Sequence, residues 1–252
     1  MTPDELSDLL LQDEYLVLDI PAKAFPELEK LIGTRAYTYW PAIGRLTVKM
    51  TTQMHGTVTS WASELIAEGV EKGAFDRGDI DLIGKGRLRG FSDEYENITK
   101  VPDVALVPGE CSWPTVAFEF GYAEPYNQLK EDAKLLLEGS EGQIAKVIVI
   151  KLEPLQEEET EIQKGFVEVW QLRDGVARKE GQKKNLFPLP RSHEAQSIML
   201  SLGDILGDSF ERLANQGWSE ADTLVLRFDA LRKSINKATR RHLIQEGLLV
   251  ED

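Results

Sequence analysis

Two acids set into apolar runs carry the clearest chemical signal in this chain. Asp103 follows Pro102 at the head of VALVP, and Glu119 lies sixteen residues later inside TVAFEFG. If the two runs are neighbouring strands, their carboxylates can converge on one divalent cation. Phosphodiester hydrolysis calls for such an ion, because the attacking, leaving and phosphoryl oxygens all carry or develop negative charge. Mg²⁺, or Mn²⁺ in its place, takes hard oxygen ligands, commonly one or two carboxylates completed by water and phosphate. The backbone carbonyl of Phe120 can add another oxygen. Asp103 has a plainer alternative, since a Pro-Asp pair often opens a strand with the carboxylate bonded to nearby amides. Glu119 has less room for one, because a carboxylate in a buried strand is costly without a cation or a donor.

The elements that must position this pair follow from periodicity. Val58, Ala62, Leu65, Ile66 and Gly69 recur at three and four, predicting a helix through HGTVTSWASELIAEGVEKG. DIDLIGKGRLRGF, KVPDVALVP and WPTVAFEFG read as three strands. YNQLKEDAKLLLEG reads as a second helix stopped at Gly139, and AKVIVIKLEP as a buried strand. The expected class is α/β, with an αβββαβ core and a mixed sheet between residues 54 and 152. Before it, TPDELSDLLLQDEYL suggests an acidic amphipathic helix, and RAYTYW and RLTVKM suggest strands. After it, an acidic loop at 153–161 leads to a hairpin turning at Asp174-Gly175, then ILGDSFERLA and a final helix, TLVLRFDALRKSINKATRRHL. The expected division is an N-terminal module at 1–53, a core with its added hairpin at 54–185 and a C-terminal helical extension at 186–252.

VPDVALVP and WPTVAFEFG in this element order resemble the PD-(D/E)XK superfamily, the restriction-endonuclease-like folds. Within it the chain is most similar to Uma-type endonucleases and related fungal proteins, whose motifs are echoed by VKMTTQMHG and EFGYAEP. The resemblance covers roughly residues 45 to 172 and rests on element order as much as on residue identity. It implies that Asp103 is the strand aspartate and Glu119 the second metal-binding acid, with Mg²⁺ or Mn²⁺ as cofactor. The third motif position, lysine in the superfamily, is Gly121 here. Some members carry that amine on the following helix, which offers Lys130 and Lys134, although Asp132 aligns best with the migrated position.

A nucleic-acid partner, DNA or RNA, has to contend with the charge. The 252 residues hold 43 acids against 29 Lys and Arg, a formal charge of -14, which repels phosphate unless a local patch overrides it. Lys85, Arg87 and Arg89 alternate and would project from one strand face as such a patch. On the last helix Lys233, Lys237 and Arg241 form one row and Arg232, Asn236 and Arg240 the next, as a phosphate-facing surface or simply a solvated one. His55 reads as a helix-start or core-edge histidine, and Glu64 and Glu68 as a solvated face, although the resemblance also allows a Glu from this helix at the site. Cys111 is the only cysteine, so an internal disulfide or a cysteine-based zinc site is excluded. No 18-residue apolar run or leader pattern is present, and the expectation is an intracellular protein, nuclear or cytoplasmic, away from membranes. The functional expectation is a metal-dependent nuclease. The alternative is a catalytically silent descendant that binds nucleic acid or protein, and the residues leave a homodimer open.

Overall fold

The computed structural model describes residues 9, 15–33, 35–49, 53–84 and 86–250, a mixed α/β structure with several sheets. The acidic segment expected as an N-terminal helix lies almost wholly outside the described residues. The first sheet is antiparallel, in the order β1 (Tyr15–Asp19), β3 (Arg45–Lys49), β2 (Ala36–Trp40), β5 (Thr99–Val101). Strand alternation gives it two unlike faces. Leu16, Tyr37, Tyr39, Leu46, Val48 and Val101 pack with Phe25, Leu28 and Ile32 of α1 (Phe25–Ile32). The opposite face carries Thr38, Thr47, Lys49 and Lys100, all buried. A polar face can stay buried only if something polar meets it.

That partner is the central sheet and its helix. The sheet runs β10 (Val176–Phe187), β9 (Gly165–Arg173), β8 (Lys146–Leu152), β7 (Val116–Gly121), β6 (Val104–Pro108), β4 (Ile80–Ile83). β7 and β8 are parallel and joined through α3 (Tyr126–Glu138), while the other neighbours are antiparallel. α2 (His55–Lys72) buries Val58, Ala62, Leu65 and Gly69 on one side of the sheet, with Phe118 and Phe120. Gly69 is required there, since a Cβ would sit 2.2 Å from the Phe75 ring. On the other side, Leu129, Ala133 and Leu136 of α3 pack with Ala117, Val147 and Val149.

Three segments depart from the expected pattern, each for a local reason. DIDLIGKGRLRGF is a strand only over its first part, because Gly84 and Gly86 break the run and Leu88 makes only an isolated bridge to Lys100. KVPDVALVP is two strands in two sheets: Pro102 lacks an N–H, and the chain turns there from β5 into β6. The start of the supposed last helix, TLVLR, is β12 (Thr223–Arg227), paired with β11 (Ser197–Ser201), and α6 (Phe228–Gln245) begins after it. The C-terminal region therefore adds a two-stranded ribbon to its helices, the short ones being α4 (Leu202–Leu206) and α5 (Phe210–Leu213). The hairpin turns where expected, with positive φ at Asp174 and Gly175, 54° and 73°. Among the described residues no helix is long and apolar enough to cross a membrane.

Candidate functional site

The polar face of the first sheet closes over the acids of the second. Alternation along β7 sends Phe118 and Phe120 toward α2, leaving Glu119 on the α3 side, fully buried. Asp103, at the break between β5 and β6, accepts the Phe120 amide at 2.8 Å across the strand gap. The two carboxylates meet at one atom, Lys49 Nζ, which lies 3.2 Å from Asp103 Oδ2 and 2.5 Å from Glu119 Oε2. Glu124 Oε2 lies 2.8 Å from the same nitrogen, without hydrogen-bond alignment. Lys100, which pairs with Thr38 in register, reaches the other oxygen of Glu119 at 2.9 Å and also contacts Asp132 of α3. Thr38 and Gln128 donate to Asp132 Oδ1 at 3.2 and 3.3 Å.

Four carboxylates thus surround two ammonium groups out of water, leaving an excess of negative charge if all are ionised. Burial works against both lysines, yet the carboxylates outweigh it and hold Lys49 well above its ordinary range, with Lys100 also raised. Asp103 is likewise opposed by burial, but Lys49, His55 and the Phe120 amide keep its carboxyl low. At Glu119 burial exceeds the pull of Lys100 and Lys49 and raises the carboxyl. Glu124 goes furthest, pushed up to about 8 by burial against the attraction of Lys49.

The donor set suits a hard cation: carboxylate oxygens of Asp103, Glu119 and Glu124 converge on one point, and neither Glu124 oxygen has a hydrogen-bond partner. Among the described residues, however, no three His, Cys, Asp or Glu side chains are spaced as metal ligands. They surround an ammonium instead. Phe120 contributes its amide to Asp103. A cavity of about 10 Å³ borders the group, lined by Tyr15, Lys49, His55, Phe120, Tyr122, Ala123 and Glu124. That is room for about one water. Two larger clefts, one of about 690 Å³ bordered by Cys111, Trp113 and Asp208 and one of about 740 Å³ bordered by Ser201, Phe210 and Glu220, touch none of the acid group.

Lys130 and Lys134 stay out of the group. Helical phase is the reason: Leu129 and Ala133 take the inward face, and Lys130 and Lys134, each one position beyond them, turn away from it. Lys130 Nζ sits 5.0 Å over the Tyr126 ring, and Lys134 is exposed. The amines beside the acids are Lys49 and Lys100, which sequence reasoning missed because their contacts are long-range. The one local signal was RLTVK, where alternation sets Lys49 in line with Thr47 rather than with Leu46 and Val48. Asp132 does enter the group, beside Lys100 and Thr38.

The basic patches also change. Lys85 lies outside the described residues, and Arg87 and Arg89 are not on a continuous strand. Both pair with Glu29 of α1, at 3.2 and 3.1 Å, which reduces the charge they present. On α6, Lys233, Lys237 and Arg241 are exposed, whereas Arg232 is buried and donates to Leu186 and Asn185 carbonyls. A scan against models of known protein families matches none, and a search of curated proteins finds no matching relative.

Proposed function

We propose that the chain is a nuclease-like protein that hydrolyses phosphodiester bonds in nucleic acid with a divalent cation, on a restriction-endonuclease-like core. One observation carries the reading: Asp103 and Glu119, sixteen residues apart, bring their carboxylates to a single cation-sized point. Apart from β5, which joins the first sheet, the elements of 55–152 follow the order α2, β4, β6, β7, α3, β8, which supports the core. Asp103 and Glu119 would hold Mg²⁺ or Mn²⁺, which when bound supplies Lewis-acid stabilisation of the phosphoryl oxygens and an activated water.

The chain's own residues do the positioning. The Phe120 amide holds one oxygen of Asp103, and Lys100 pairs with the oxygen of Glu119 that faces away from Lys49, at 2.9 Å without hydrogen-bond alignment. Lys49 is the amine nearest both acids. A second reading, a silent descendant that binds nucleic acid or protein without cutting, is favoured by the Lys49 ammonium standing at the shared point. The test is cleavage of labelled DNA and RNA by the wild type, Asp103→Asn and Glu119→Gln, with Mg²⁺ or Mn²⁺ and with chelator. Cation-dependent cutting by the wild type alone, with all three proteins equally folded by circular dichroism, supports hydrolysis. Binding without cutting supports the second reading.

A further inference from the structure

We propose that Lys49 is a built-in competitor for the cation: its ammonium and a divalent ion take the same position, and the ion enters only as Lys49 withdraws. This rests on the reading of Asp103 and Glu119 as a cation centre, with Glu124 as a further carboxyl group beside it. The geometry is specific to Lys49. Its nitrogen lies within 3.2 Å of oxygens from Asp103, Glu119 and Glu124, whereas Lys100 meets the other oxygen of Glu119 together with Asp132.

Space excludes joint occupancy. The adjoining cavity, bordered by Tyr15, His55 and Glu124, is about 10 Å³, enough for about one water and too little for a hydrated ion beside the amine. Charge excludes it as well, because two cations about 3 Å apart in a water-poor interior repel strongly. A doubly charged ion, in contrast, would compensate the Asp103 and Glu119 carboxyl groups that Lys49 now faces. Glu124 is 3% exposed and has both oxygens without a hydrogen-bond partner, so it has capacity to spare when the occupant changes.

The test is calorimetric titration of Mn²⁺ into the full chain as wild type, Lys49→Met and Lys100→Met. Lys49→Met should bind Mn²⁺ at least about tenfold more tightly than the wild type. Lys100→Met, which removes the same charge from a different position, should gain clearly less. Equal gains in the two variants, or none in Lys49→Met, overturn the proposal. If only Lys49→Met binds, the competition stands and native cation dependence falls; if the wild type binds and cuts while Lys49→Met gains nothing, the reverse holds.

Should Lys49→Met fail to fold, lysine acetylation of the wild type followed by mass spectrometry provides the measurement. Lys49 should be protected without Mn²⁺ and become reactive at Mn²⁺ concentrations that raise the melting temperature. Continued protection with the ion bound, or no effect of Mn²⁺ on either readout, overturns the proposal.

Discussion

Glu124 shows how a single side chain can set the pH response of the group. Its folded-state pKa of about 8 exceeds the ordinary 4.5, so between these values the folded chain holds a proton that the unfolded chain has released. Stability is then greatest at the acid end of that window and falls as pH rises, by up to about 1.4 kcal/mol per pH unit for one proton. The raised Glu119 carboxyl acts in the same direction, and the lowered Asp103 carboxyl acts in the opposite one, losing its contribution only in acid. Urea unfolding from about pH 5 to about pH 8 should show this decline in the wild type and a flatter line in Glu124→Gln. An unchanged slope in the variant would place the proton elsewhere. Lys100 makes a different prediction. Lys100→Met leaves Glu119 and Asp132 buried without their shared ammonium and should cost about 3–5 kcal/mol, with Lys100→Met/Asp132→Asn recovering part of it. If the double variant is no more stable than the single one, the two residues are not coupled.

At the scale of elements, β7 and α3 approach each other closely at Gly121. A Cβ on Gly121 would lie 2.6 Å from Leu129 Cδ1, and Leu129 is fully buried, so this register of strand against helix excludes any side chain there. Gly121→Ala should destabilise the chain by about 1–3 kcal/mol through overpacking. Combining it with Leu129→Ala should cost less than the sum of the two single changes, as read by urea unfolding. Strict additivity would contradict the contact. These elements differ in how far they could be read from the chain. The 3.6-residue stripe of α2, the β-branched run of β8 and the Asp-Gly turn are local patterns, and the structure contains all three. Asp103 and Glu119 stood out because acids in apolar runs need a partner. Lys49 lies 54 and 70 residues from those acids, and nothing local says that β5 leaves KVPDVALVP to join an N-terminal sheet. The phase of α3 was legible in Leu129, Ala133 and Leu136, and it already turned Lys130 and Lys134 outward.

For the whole molecule, the formal charge of -14 surrounds the buried group with a negative field. Such a field draws cations inward and repels phosphate, so a nucleic acid would need both a neutralising ion and local lysines to approach. The exposed α6 row of Lys233, Lys237 and Arg241 remains available for that, while Arg87 and Arg89 are committed to Glu29. The acid centre is the part of the account on which the rest depends. Its most direct test is Mn²⁺ titration of the wild type, Asp103→Asn and Glu119→Gln at one pH and low salt. Binding of one ion in the wild type, lost in both variants while their folds persist, is the predicted result; equal binding in all three, or no binding by the wild type, would contradict a cation centre shared by these two acids.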